Sequence, residues 1–366
     1  MAFDKFKGVA TSRELALAAR MGILEAVPEA KVVAIPCADG GEGTLAALST
    51  PADRIIAVDV TGPLPDMRVK AEYALHHHTA IVELASASGL ALLPEARRNV
   101  MHATTLGTGM LLRHAISQGA RHVVMGIGGS ASNDCGMGLL SALGFRFLDQ
   151  AGRELTPCGA SLPDVTRVDC SGVDKAVLST QFDVITDVDN PLCGPQGAAA
   201  VYAPQKGASA QQVQLLDEGA RHFSALMPCG VADTPGAGAA GGVGAGMLAF
   251  LNATLYPGAG AILRFLKVED AIKDADLVMT GEGRIDASTS HGKLPYAVAR
   301  LCARHHVPVV ALCGALDGDA PSAFASVRCI NPLPVDLPTA LLPNMCLARV
   351  TSATKKIIDN IINDNN

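Results

Sequence analysis

Apolar residues recur at helical spacing between Thr11 and Ala26, where Leu15, Ala18, Ala19, Gly22 and Ile23 share one face behind a Ser/Thr N-cap. Lys31 to Pro36 and Arg54 to Val60 carry strand patterns, and Val69–Leu75 with Thr79–Leu84 predicts a hairpin turning at His76, His77 and His78. Arg121–Ile127 and Phe182–Asp187 are apolar runs of buried-strand type, and the segment Gly136–Phe145 predicts a helix. After Pro235 a glycine-rich loop leads into a helix from about Gly246 to Ala253. From Val268 the pattern alternates: helix to Asp274, strand Asp276–Thr280, loop, helix Pro295–His305, strand Pro308–Cys313. That order is a βαβ unit with a parallel sheet. The expected fold is α/β with two domains. Residues 1–61 plus 266–366 form a discontinuous Rossmann-like parallel-sheet domain, an α/β domain is inserted at 62–265, and the active site lies in the cleft between them.

The 366 residues are 49% hydrophobic and 17% charged, enough apolar surface for a large core and too little charge for a disordered chain. Aromatics are 4% and tryptophan is absent, so the core is built from Ala, Val, Leu and Ile, with close backbone approaches at some of the 37 glycines. A net charge of −6 argues against a nucleic-acid surface. The longest apolar candidate, Ala237 to Leu251, is too short to span a membrane. The start of the sequence has no signal-peptide core, and ten cysteines occur without a C-x-x-C pair, which together predict a cytoplasmic protein with reduced thiols.

Four segments carry the candidate chemistry. Asp39-Gly40-Gly41-Glu42-Gly43-Thr44 precedes a helical stretch and suits an anion, because glycines let backbone N–H groups approach it; a tight capped turn is the plainer alternative. Gly126-Ile127-Gly128-Gly129-Ser130-Ala131-Ser132-Asn133-Asp134 follows a buried strand, where open α/β sheets hold ligands. Ser130 and Ser132 suit phosphate or carboxylate oxygens, and Asp134 a metal or a helix N-cap. Asp187-Val188-Asp189-Asn190 delivers two acids to a strand end, as Mg²⁺ ligands, a general base or an Asx turn. Thr280-Gly281-Glu282-Gly283-Arg284-Ile285-Asp286, with Thr289, His291 and Lys293 behind it, mixes acids and bases in one loop, as a polyphosphate with its metal would require.

Other patterns fail on context. Gly236-Ala237-Gly238-Ala239-Ala240-Gly241 matches G-x-G-x-x-G, but no strand precedes it and no acid follows about 20 residues on. There is no Walker A motif. Adjacent histidines on a strand face opposite sides, so the His76–His78 run reads as a solvated turn. The residues alone lead to a phosphotransferase, or another enzyme acting on a small anionic ligand.

Together with Asp4, Phe6-Lys7-Gly8 and Pro204-Gln205-Lys206-Gly207-Ala208, these motifs resemble, in order and spacing, those of bacterial glycerate kinase of type I, from Asp4 to about Gly314. Departures are a short Met1-Ala2-Phe3 start, Lys5 for a serine, Cys135 for a glycine, and Val100 and Leu106 for a proline and a tyrosine. The resemblance implies ATP and Mg²⁺ as cofactors, D-glycerate as acceptor, and direct in-line phosphoryl transfer, with 2-phosphoglycerate favoured over 3-phosphoglycerate as product. A kinase for another small hydroxy acid or polyol, and a non-catalytic nucleotide-binding protein, remain alternatives. Neither nucleic acid nor membrane is expected as a partner, and a homo-oligomer is left open. By residue type and loop placement, Asp189 would orient or deprotonate the acceptor hydroxyl. Glu282, with Asp187 or Asp286, would hold Mg²⁺. Lys7, Arg284 and Lys293 would neutralise charge on the transferred group or grip the substrate carboxylate. Asp39, Gly40, Gly41, Glu42, Gly128, Gly129, Ser130, Ser132, Asn133 and Gly238 would bind phosphate or substrate.

Overall fold

The structure is a computed structural model; it describes all residues except Asp39, Glu42, Pro51, 332–335 and 365–366, with His291 and Asp364 as backbone only. The chain is α/β and divides into two compact units, one of Met1–Asp39, Ala46–Leu48 and Gly258–Asn366, the other of Gly40–Leu45 and Ser49–Pro257.

The unit made from the chain ends holds a four-stranded, all-parallel sheet. Its strands are β1 (Ala2–Phe3), β10 (Val278–Ile285), β11 (Val309–Leu316) and β12 (Ser326–Cys329), in the spatial order β1-β10-β11-β12. Val309 to Cys313 are all buried, the unbroken apolar run expected of a parallel strand covered on both faces. The helix Ser12–Ala26 starts with a reciprocal capping box between Thr11 and Glu14. It packs on the long helix Pro343–Asp364, and Phe3, Leu15, Ala19, Leu312 and Val350 meet in the core.

The second unit is built on a six-stranded mixed sheet in the order β2-β3-β4-β5-β8-β9. These are Arg54–Thr61, Arg68–His76, Thr79–Glu83, His122–Gly126, Gln181–Thr186 and Thr254–Pro257, respectively. β2, β3 and β4 are antiparallel, whereas β4, β5, β8 and β9 run parallel. The short pair β6 (Arg146–Leu148) and β7 (Arg167–Asp169) stands apart. Tyr73, Leu111, Leu112, Met125, Phe147, Phe182 and Phe223 are among its fully buried side chains. No helix among the described residues is long and apolar enough to cross a membrane.

Several local expectations need correction. No strand forms at Lys31–Pro36: the segment exchanges two backbone bonds with Met1, beside a β1 of only two residues, so no ladder can propagate. Arg54–Thr61, expected with the chain ends, pairs with β3 over its whole length. The strand expected to end at Thr280 continues to Ile285, because its glycines allow close contact with β11; a Cβ on Gly281 would lie 2.2 Å from the Leu312 carbonyl oxygen. The helix expected from about Gly246 spans Ala239–Leu251, but Ala240, Gly241 and Gly242 have φ of 54°, 69° and 89°, so regular helix begins only after them. The hairpin and its exposed histidine turn form as the alternation predicts.

Candidate functional site

In the six-stranded unit, Glu83, Gly126 and Ile185 stand in register at the carboxyl ends of β4, β5 and β8. The loops that follow these strands therefore leave the same sheet edge, where open α/β sheets bind ligands. The Gly40–Thr44 loop packs against them backbone to backbone. Gly128 N–H donates to Gly40 O at 3.3 Å, and Cβ atoms on Gly126 and Gly128 would lie 2.6 Å from Gly40 O and 2.7 Å from Gly41 Cα. These glycines are required by contact between two loops. The N–H of Gly128, expected to meet phosphate, is spent on that contact. Glu83 Oε1 accepts the Leu45 N–H at 2.7 Å and so caps the short helix Thr44–Leu48. Asp39 and Glu42, expected as substrate or phosphate ligands, lie outside the described residues.

Beyond Gly128 the loop is exposed at Gly129 and then dives inward; Ser130, Ser132, Asn133 and Asp134 are all buried. Asp134 is not a metal ligand candidate in this arrangement. Its Oδ2 accepts Thr105 N–H and Oγ–H, both at 2.8 Å, and Gly138 N–H at 3.2 Å, while Oδ1 accepts Gly136 N–H at 3.1 Å. Burial pushes its carboxyl pKa up, and those hydrogen bonds pull it back. Lys206 Nζ donates to Ser130 Oγ at 2.8 Å and to Ser132 O at 2.7 Å. Among the described residues, Ser132 Oγ and both side-chain polar atoms of Asn133 are buried without a partner.

Asp187 and Asp189 follow β8 and are exposed. The Tyr202 hydroxyl donates to Asn190 Oδ1 at 2.5 Å, and Asn190 Nδ2 donates to Gln196 O at 2.8 Å, which holds this turn in shape. Burial, then the charges of Asp187 and Asp189, raise the Tyr202 pKa, so both acids lie within electrostatic reach of the phenol. Gly238 supports the turn from beneath: its N–H donates to Asn190 O at 2.9 Å, and a Cβ there would sit 2.2 Å from Pro191 O. That N–H, too, is unavailable to phosphate.

In the parallel-sheet unit the acids and bases gather at the end of β10. Glu282 is buried; its Oε1 accepts from Thr289 Oγ1 at 2.7 Å and its Oε2 is 3.0 Å from Lys293 Nζ. Lys293 Nζ also lies 3.8 Å from Asp286 Oδ1. Asp286 caps the 3₁₀ turn Ala287–His291 by accepting Ser288 N–H at 2.8 Å. The Ser288 side-chain and backbone hydrogen bonds, then the Lys293 and Arg284 charges, hold its carboxyl below the usual range. Arg284 points elsewhere, to Asp317 Oδ2 at 2.9 Å, an exposed pair worth little. Lys7 sits in the tight turn closed by Phe6 and Ala10 and is exposed, and the Phe6–Lys7 backbone faces Gly283 between Glu282 and Arg284.

Among the described residues, no three His, Cys, Asp or Glu side chains gather closely enough to hold a metal. Glu282 and Asp286 share a lysine in one unit, and Asp187 belongs to the other. Sequence reasoning missed Lys206, Glu83 and Tyr202 as working parts. For Lys206 the signal was present, since it is the charged residue of Pro204-Gln205-Lys206-Gly207-Ala208 inside an apolar stretch.

A sequence profile described as the glycerate kinase family matches residues 1–361, well past Gly314. A glycerate kinase of Bacillus subtilis (strain 168) is 42% identical over 328 residues, covering 88% of this chain and 86% of that protein. The glycerate 2-kinase of Escherichia coli (strain K12) is 40% identical over 325 residues, covering 86% and 84%. The crystal structure of a protein from Salmonella typhimurium LT2, described as "putative glycerate kinase 2", aligns with a TM-score of 0.88 at 38% identity, over 100% of this chain and 98% of that one.

Proposed function

The chain belongs to the glycerate kinase family and is a kinase, and from that premise we propose that it transfers the γ-phosphoryl group of ATP to the 2-hydroxyl of D-glycerate, yielding 2-phosphoglycerate. Such transfer asks the protein for positioning and charge stabilisation more than for covalent chemistry. The observation that carries this reading is Asp189. It is an exposed carboxylate at the carboxyl end of β8, with no hydrogen bond or ion pair among the described residues. It is therefore available to accept the proton of a substrate hydroxyl.

The other assignments follow from charge and placement. Lys293, half-exposed between Glu282 and Asp286, and the exposed Lys7 are cations suited to an anionic phosphoryl group. Arg284 would have to leave its exposed pair with Asp317 to join them. Mg²⁺ enters with ATP as part of the substrate. Glu282 and Asp286 fit it as hard oxygen donors, because Mg²⁺ is commonly bound by one or two carboxylates together with substrate phosphates; Asp187 is the third acid assigned to this role. Ser130, Gly129 and the Gly40–Gly41 turn, on loops at the same sheet edge that Asp189 follows, would be the anion-binding part of the site.

The test is ADP release from ATP and Mg²⁺ with D-glycerate, beside L-glycerate, lactate and glycerol, with the product identified by phosphorus NMR. D-glycerate-dependent release giving 2-phosphoglycerate supports the proposal. A 3-phosphoglycerate signal would overturn the regiochemistry, and release with glycerol alone would overturn the acceptor.

A further inference from the structure

Lys206 ends the helical turn Pro204–Lys206 and is 3% exposed. Its ammonium has three protons, of which Ser130 Oγ and Ser132 O take two, and it forms no ion pair among the described residues. Asp134 is the titratable group whose charge acts on it, but both Asp134 oxygens are occupied by N–H and hydroxyl donors. A buried cation without a direct ion pair is costly, and an anion arriving beside it would supply the missing partner. Burial, only partly offset by Asp134, brings the lysine pKa down to about 7.

The partner of Lys206 points the same way. Ser130 Oγ accepts the lysine's hydrogen bond, so the hydroxyl proton must be directed elsewhere, and no acceptor for it occurs among the described residues. One residue earlier the chain is exposed at Gly129, with φ +76°. The lysine charge therefore reaches the loop surface through a single hydroxyl. A few residues on, Ser132 Oγ and the Asn133 amide are buried with no partner among the described residues, which leaves polar groups there to be satisfied.

We propose that Lys206 is a positioning residue for an oxyanion site at Gly129–Ser130, where it turns Ser130 into a one-way hydrogen-bond donor and supplies the positive field behind it. The ligand is an oxyanion presented either by the acceptor's carboxylate or by a phosphate of the nucleotide. The inference rests on the kinase reading above, and deepens it by naming the group that selects for negative charge.

Titration calorimetry on the full chain tests it, with D-glycerate alone and with ADP alone, for wild type, Lys206→Met, Lys206→Arg and Ser130→Ala. One of the two ligands is expected to lose about ten-fold or more in affinity in Lys206→Met and Ser130→Ala, and the other to stay within about two-fold; which one is lost identifies the source of the oxyanion. Wild-type affinity for that ligand should fall between pH 6.5 and pH 9 as the lysine loses its charge, whereas Lys206→Arg should bind with little change over that range. A lysine that only supports packing would give no such pH dependence. Should Lys206→Met fail to fold, Ser130→Ala decides. Affinities within two-fold of wild type for both ligands, or no binding of either by wild type, overturn the proposal. Binding needs no turnover: a protein that loses binding in Ser130→Ala yet phosphorylates nothing would overturn the kinase reading alone, and an active D-glycerate kinase whose Ser130→Ala variant binds normally would overturn the oxyanion site alone.

Discussion

Asp189→Asn keeps the size and most of the polarity of an exposed side chain that makes no hydrogen bond or ion pair among the described residues, so folding should be unaffected. It removes the one property that proton abstraction requires. Turnover with D-glycerate should fall about a hundred-fold or more while nucleotide affinity stays within about two-fold, measured by steady-state kinetics beside ADP titration. Turnover within a few-fold of wild type would take Asp189 out of the base role. Asp134, five positions beyond Gly129 on a neighbouring loop, presents the reverse case. It resembled a metal ligand in sequence, yet it holds four donors in a dry interior. Asp134→Ala would orphan the Thr105 hydroxyl and three backbone N–H groups. We expect a loss of at least about 3 kcal/mol, read from the urea midpoint, with no metal dependence.

At the scale of elements, glycines decide which surfaces meet. Gly22 lies where the helix Ser12–Ala26 meets the helix Pro343–Asp364, and an added Cβ would sit 2.3 Å from Thr351 O and 2.9 Å from Thr354 Cβ. Alanine normally gains about 1 kcal/mol over glycine inside a helix. Here the obstacle is backbone that cannot rotate away, and overpacking costs about 1–3 kcal/mol or more. Gly22→Ala should therefore lower the melting temperature, and an unchanged or higher value would show that the two helices separate easily. The same reasoning explains the misread end of β10. Gly281 and Gly283 look like loop punctuation in sequence, but Gly281 is the residue that lets β10 run flush against β11. The result is that Glu282 projects from a strand, an element more rigid than the loop it resembled.

For the whole molecule, Lys206 links the site to stability. Its folded pKa, about 7, lies below the ordinary 10.5. Below pH 7 the lysine is protonated in both the folded and unfolded chain, and the full penalty of burying its charge is present. Between about 7 and 10.5 only the unfolded chain binds the proton, so this group makes stability rise with pH, and above that window its penalty is gone. Lys206→Met should be least disadvantaged, or more stable than wild type, at pH 6, and the difference should shift in favour of wild type towards pH 10. Melting temperatures of the two proteins across pH 6–10 check the slope, and parallel curves would mean that Lys206 does not titrate in that window.

What the amino-acid sequence determined by itself was set by local periodicity and by residue type. The apolar runs of β5, β8, β10 and β11, the capped first helix, the histidine hairpin, the α/β class and the kinase family were all legible, because each depends on neighbours close in the chain or on motifs in fixed order. The tertiary structure alone decided how these pieces are used. It spent the Gly128 and Gly238 N–H groups on other loops, enclosed Asp134 in donors from residues 105–138, and brought Lys206 to Ser130 across 76 positions of chain. Those outcomes depend on which buried groups find partners, and a buried donor or charge is satisfied by whatever the fold brings beside it. No spacing along the chain encodes that.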